Sequence, residues 1–291
     1  MYSHPSAVQT QRSSPHSEYD ISPPLSPSLS HNDGKLTCSS AANKRWKYFR
    51  RIFKYRQMDF QYALWQMLYL FISPQKVYRN FSYRKQSKNQ WARDDPAFLV
   101  LLSLCLCLTS ITYAVIFRMT FTGFLGFTLR SVFLDCIGVG VVIASIGWLL
   151  ANHYFLVTPA TQDKVEWGYC FDVHLNAFFP LLVILHGFGA IIYVVLGSEG
   201  VILTILGNTL LLISFSYYFY ITFLGYDSLP ILRKTKLLLF PFTVLAIFYI
   251  ISLVLRWNLV RIFHLYIYSL QITSCAEYGS RTSWSLYEGL H

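Results

Sequence analysis

Charge is what this chain has least of: 13% of its 291 residues are charged, and only 14 are acidic. An ordinary soluble domain carries roughly a quarter. A chain this poor in polar surface, with five apolar segments close to bilayer length, is better solvated by lipid than by water. Paired cysteines are missing too. The six present, Cys38, Cys105, Cys107, Cys136, Cys170 and Cys275, form no CxxC and no spacing that suggests zinc or a disulfide framework, so free thiols are expected. Cys105 and Cys107 lie two apart on a helix and point to different sides, which argues against a shared metal. Hydrolase, kinase, phosphate-loop and zincin signatures are absent, as are cofactor motifs, and the chain is read as a non-enzyme with no catalytic residues, metal or cofactor. No positive-then-apolar leader opens it, so no cleavage on secretion is expected. No internal repeat of the inverted-repeat transporter kind is found.

What is present is strongly basic and unevenly spread. Net charge is +10, and 13 of the 24 Lys and Arg fall between Lys44 and Arg93. Beside a membrane such a block is drawn to anionic headgroups at about 1 kcal/mol per cation; nucleic acid is the other polyanion it suits. Four regions follow. Residues 1–43 hold 11 Ser and 5 Pro with few apolar residues, a composition expected to be disordered. Within them Ser14, Ser22 and Ser26 precede Pro and are candidate phosphorylation sites.

Residues 44–96 form a basic amphipathic region on the cytosolic side. Trp46, Phe49, Phe53, Phe60, Leu64, Met67 and Phe71 recur at three, four or seven residues, with Arg and Lys on the other face. The apolar run Ala63 to Ile72 is about half a span, so this part is expected to lie in the interface or pack on the bundle, ending at Ser73-Pro74. Residues 97–258 form the transmembrane bundle, and 259–291 a short tail.

The spacing predicts five spans at about 97–117, 124–150, 172–196, 201–223 and 237–257. The fold class is therefore all-α: a polytopic membrane protein with five transmembrane helices plus N-terminal amphipathic interfacial helices. Dense Lys and Arg precede span one, and Arg233, Lys234 and Lys236 follow span four, while the connection between spans three and four has none. The positive-inside rule then puts the N-terminus in the cytosol and the C-terminus across the membrane.

Ionisable residues at membrane depth are functional candidates, because leaving one in hydrocarbon is expensive. Asp135 lies about one turn past Arg130 in span two, Asp172 and His174 sit at the mouth of span three, and His186 is about 18 Å further along that helix. A proton or ligand site at His186, with Asp135 as partner, is one reading, and an interhelical packing histidine is the weightier one. His174 and His186 are too far apart for a helical metal site. A small transporter or membrane enzyme using these four residues is the alternative function. Gly138, Gly140, Ala144 and Gly147 give span two a small-residue face for close helix packing. Tyr217, Tyr218 and Tyr220 are expected to be interfacial anchors at the end of span four. The binding candidates are Lys44, Arg45, Trp46, Lys47, Arg50, Arg51, Lys54, Arg56, Arg79, Arg84 and Lys85, where cations interleave with aromatics. Such a mixture suits lipid headgroups first, and also an acidic protein groove or single-stranded RNA.

Longer strings carry more. "RQMDFQYALWQMLYLFISPQKVYRNFSYRKQSKNQWARDDPAFLVLLS" (56–103), "VEWGYCFDVHLNAFFPLLVILH" (165–186), "GNTL" (207–210) and "YYFYITFLGYDSLPIL" (217–232) closely resemble the Unc-fifty (uncoordinated-fifty) family of Golgi multi-pass membrane proteins. The resemblance covers roughly residues 44–260 and leaves out the Ser/Pro-rich start and the tail from about Gln271. It implies five spans with a cytosolic N-terminus. It also implies a non-enzymatic role in the early secretory pathway: delivery of assembled nicotinic acetylcholine receptors to the cell surface, with an Arf guanine-nucleotide exchange factor as partner at the Golgi. Family members at the inner nuclear membrane and as RNA binders are implied alongside. The family supplies no catalytic residue.

Overall fold

A computed structural model describes residues 58–88, 91–157, 164–196, 200–259 and 262. Among these residues every regular element is a helix, and five are long and apolar enough to cross a membrane. The chain is a multi-pass membrane protein. Two shorter helices come first, α1 (Phe60–Ile72) and α2 (Pro74–Lys88). The spans are α3 (Ala97–Ile116), α4 (Phe121–Phe155), α5 (Trp167–Val195), α6 (Val201–Asp227) and α7 (Thr235–Val254). They alternate in direction, so α3, α5 and α7 start at one end of the bundle, here the near end, and finish at the far end.

Local chemistry sets the boundaries. Asp59 caps α1, its carboxylate accepting the Tyr62 N–H at 2.9 Å, and Ser73-Pro74 breaks the chain into α2 because proline supplies no N–H to continue a helix. Thr120 caps α4 through the Gly123 N–H. At the far end α3 and α7 close alike. Arg118 and Arg256 take the left-handed conformation usually given to glycine, with φ of 48° and 53°. The Met119 N–H reaches back to the Ala114 carbonyl and the Trp257 N–H to the Ser252 carbonyl, both at 2.9 Å, so the last carbonyls of each span are met inside the helix terminus.

Two spans are irregular along their length. α4 widens to π-helical turns at Ser131–Gly138 and Ala151–Phe155, and α5 does so at Val183–Phe188, just after Pro180 removes a backbone donor. At the near end the α4–α5 and α6–α7 connections are tied together. The Val157 N–H donates to the Ile231 carbonyl at 3.0 Å and the Arg233 N–H to the Phe155 carbonyl at 2.7 Å, flanking an isolated antiparallel bridge between Leu156 and Leu232.

α5 is the hub of the bundle, with α4, α6, α1 and α3 all packed on it and twelve of its residues between Tyr169 and Leu182 buried. The small-residue face of α4 permits this closeness: a Cβ on Gly140 would stand 2.6 Å from the His174 ring, and one on Gly147 would strike the Tyr226 hydroxyl. Gly225 serves α6 in the same way, lying against Val173 and Tyr78.

Candidate functional site

The N-terminal helices do not lie loosely beside the bundle. Val77, Tyr78 and Phe81 of α2 are fully buried, and α1 buries Ala63, Gln66, Met67 and Leu70 against the spans. This is the packed alternative of the sequence reading, and it changes which residues face inward. The expected apolar stripe is split, because Met67 turns to the bundle while Leu64 and Phe71 are exposed.

The short connector between α2 and α3 holds this arrangement with carboxylates. Glu166, the residue before α5, accepts the Trp91 and Ala92 N–H groups at 3.5 and 3.2 Å. Asp172, one and a half turns along α5, accepts the Arg93 N–H at 2.6 Å. Asp95 accepts the Ala97 N–H at the start of α3 and, through its other oxygen, the Asp59 N–H at the start of α1, at 3.1 and 2.6 Å. Hydrogen bonds from backbone N–H groups to carboxylates are among the stronger ones in proteins, the Arg93 and Asp59 bonds being the shortest of the five.

Arg93 completes the clamp from the side-chain direction. It is 7% exposed; its guanidinium donates to the Asn176 side-chain oxygen and lies over the rings of Phe98 and Phe81, at 4.1 and 5.3 Å. Tyr78 stands fully buried beside Asn176 and Arg93. Tyr169 closes the group, its hydroxyl donating to the Gly225 carbonyl at 2.6 Å and its ring meeting Phe81 and Trp91 edge-on.

The residues singled out from the sequence fall into three groups. Lys44, Arg45, Trp46, Lys47, Arg50, Arg51, Lys54 and Arg56 lie outside the described residues, as do the side chains of Arg84 and Lys85, the Ser/Pro-rich start and the tail. Arg79 is exposed on the outer face of α2. The four intramembrane groups are not brought together. Asp135 is exposed on the outward face of α4. Asp172 belongs to the clamp. His174 is 2% exposed, with Nδ1 at 2.8 Å from the Tyr218 hydroxyl and Nε2 at 3.2 Å from the Cys136 carbonyl. His186 turns to α3, its ring perpendicular to that of Tyr113 at 5.6 Å. The packing reading from the sequence concerns His186 alone, and His174 is held by two hydrogen bonds; among the described residues no group of His, Cys, Asp and Glu could hold a metal.

One expectation is corrected. Tyr217 and Tyr218 are not interfacial anchors: Tyr218 is buried on His174, and the Tyr217 hydroxyl donates to the Leu70 carbonyl of α1 at 2.7 Å. Arg93, Asn176 and Glu166 were not singled out in sequence. The only signal for Arg93 was the string Ala92-Arg93-Asp94-Asp95-Pro96, polar residues crowded against the start of a span; Glu166 and Asn176 lie outside it.

A family model matches this architecture over residues 48–268, through the clamp and all five spans. The chain belongs to the UNC-50 family. It is 51% identical over 247 residues to the protein unc-50 homolog of Danio rerio, covering 82% of this chain and 95% of that one. The Homo sapiens homolog is 51% identical over 238 residues (79% and 92% covered), and the Drosophila melanogaster homolog 46% over 262 residues (88% and 94%). No solved structure matches. The clamp residues and the α1–α2 pair all fall inside the UNC-50 segment.

Proposed function

We propose that the chain is a Golgi membrane protein of the early secretory pathway, supporting protein transport and cell-surface delivery of assembled receptors of the nicotinic acetylcholine type. In this reading it acts as an adaptor for Arf guanine-nucleotide exchange-factor machinery. The near end faces the cytosol, following the positive-inside pattern. The observation that supports the adaptor reading is the clamp: Asp95 ties the cap residue of α1, Asp59, to the first turn of α3. The basic residues upstream of Met58 therefore join the bundle at a fixed point, and cations of this kind are drawn to anionic headgroups and acidic protein surfaces. UNC-50 membership supports the pathway.

The test uses the full-length protein, because α2 is buried against the spans. Replacing Arg50, Arg51, Lys54 and Arg56 together by Glu is expected to cut recruitment of the exchange factor to isolated Golgi membranes at least about tenfold, at roughly 1 kcal/mol per lost cation, and to lower surface receptor with it. Unchanged recruitment rejects the adaptor reading. His186→Leu, in the same assay, is expected to leave delivery intact; loss would favour a proton-coupled carrier instead.

A further inference from the structure

We infer that α1 and α2 form a re-entrant hairpin that enters one leaflet, turns at Ser73-Pro74 among its acyl chains, and leaves by the face it entered. This goes beyond the adaptor reading and does not depend on it. Depth can be read on two of the spans. The tip of the hairpin is fixed by the Tyr217 hydroxyl on the Leu70 carbonyl, and by the Phe71 ring packed on Phe179 and Tyr217 at 5.7 and 6.2 Å. Phe179 is twelve residues beyond Trp167, where α5 begins, and Tyr217 is ten residues before Asp227, where α6 ends. The tip is therefore about 15–18 Å below the near ends of both helices.

Those ends coincide with the outer edge of the bilayer. α5 and α6, at 29 and 27 residues, are about 40–43 Å long, the thickness of a membrane with its headgroup layers, of which the headgroups take roughly 5–7 Å a side. Trp148 and Trp167, both partly exposed near this edge, stand where interfacial aromatics sit. A third span agrees: the Thr235 hydroxyl that opens α7 donates to Asp227 at 2.6 Å, and Phe242, seven residues deeper, meets Phe219. The tip thus lies roughly 8–13 Å inside the hydrocarbon of the near leaflet, and more than half of each span continues beyond it.

The exposed surface has the chemistry that depth demands. Leu64, Leu68 and Ile72 form one outward stripe on α1, each at least 55% exposed, and Phe71 borders it, partly exposed while its ring packs on Phe179 and Tyr217. A helix apolar on both sides calls for lipid rather than water outside. The stripe also completes an existing membrane surface. Phe98, at the start of α3, packs on the same Phe179 ring as Phe71, while Asp95 ties Ala97 to Asp59, so α1 slants downward alongside the first turns of α3. There its stripe adds to the lipid face that Leu104, Leu108 and Ile111 form on α3. On α2 the exposed Lys76 and Arg79 have long arms that reach up towards the phosphates, and Lys76 passes over the Tyr69 ring on the way.

The test measures depth in the full chain, reconstituted in phosphatidylcholine/phosphatidylserine vesicles. In a background with the native cysteines replaced, nitroxides are placed singly at Gln61, Leu64, Leu68 and Ile72, with Leu108 as the intramembrane reference. Collision with oxygen relative to a water-soluble nickel chelate is expected to rise from Gln61 to Ile72, with Ile72 within about twofold of Leu108. Equal, headgroup-level values at Leu64, Leu68 and Ile72 would mean a helix lying flat on the surface and overturn the inference, as would nickel access at Ile72. If the cysteine-free chain does not fold, a photo-crosslinking residue at Ile72 in the native chain gives the second measurement. Acyl-chain adducts support the hairpin; adducts to headgroups or none to lipid overturn it.

Discussion

Arg93 carries more of the architecture than any other single cation described. Removing it from water is costly, and the cost is offset by two aromatic faces, the Asn176 amide oxygen and the surrounding carboxylate-held backbone. Asn176→Leu is therefore expected to destabilise the protein by about 1.5–3 kcal/mol, because it removes a hydrogen bond to a buried charge. In detergent this should appear as a fall in Tm of roughly 3–12 °C. The double variant Arg93→Met with Asn176→Leu should recover most of the loss, since the donor that needed the Asn176 oxygen is gone with it; a double variant as unstable as the single would show that Asn176 matters for another reason. At this scale the sequence was only partly legible. Asp172, His174 and His186 stood out because they are ionisable in apolar surroundings, and the structure gives two of them packing roles and one a backbone hydrogen bond. Arg93 did not stand out, because in a row of 13 cations it looks like the rest and its partner is 83 residues away.

Among elements, the spans were the most legible. The stretch predicted at 97–117 is observed at Ala97–Ile116, and that at 201–223 at Val201–Asp227, since a run of lipid-soluble residues needs no partner to be recognised. Less legible were α4, which extends to Phe155, and α5, which starts at Trp167, both reaching further at the near end than apolarity alone suggested. The α1 stripe was misassigned because both faces of that helix are apolar, so periodicity could not say which meets protein. Of the α4 glycines read as a packing face, Gly140 and Gly147 lie against α5 and α6 while Gly138 meets only the Phe133 carbonyl of its own helix, and Gly140 gives a sharp test. Gly140→Val drives its side chain into His174, a ring that cannot swing aside while Tyr218 and the Cys136 carbonyl hold it, and should cost about 1–3 kcal/mol or more. Gly187→Val is the control: a Cβ there meets nothing within 4 Å, and thermal stability should be unchanged.

For the whole molecule, five spans put the start of α3 and the end of α7 on opposite sides of the membrane. With the near end in the cytosol, a glycan acceptor tag appended after His291 is expected to be modified and the same tag before Met1 is not, as a mobility shift sensitive to glycosidase would report. The reverse pattern would invert the orientation, and modification at neither end would point to a different number of crossings. The hairpin adds a last consequence. Among the described residues seven helices share the near half of the bundle, and the five spans alone continue beyond Phe71. At about 10–12 Å per helix, the broader half takes up roughly 150–230 Å² more of its monolayer than the narrower half does of the other. A tapered body of this kind bends a flat sheet and rests with least elastic strain where the broad side is convex.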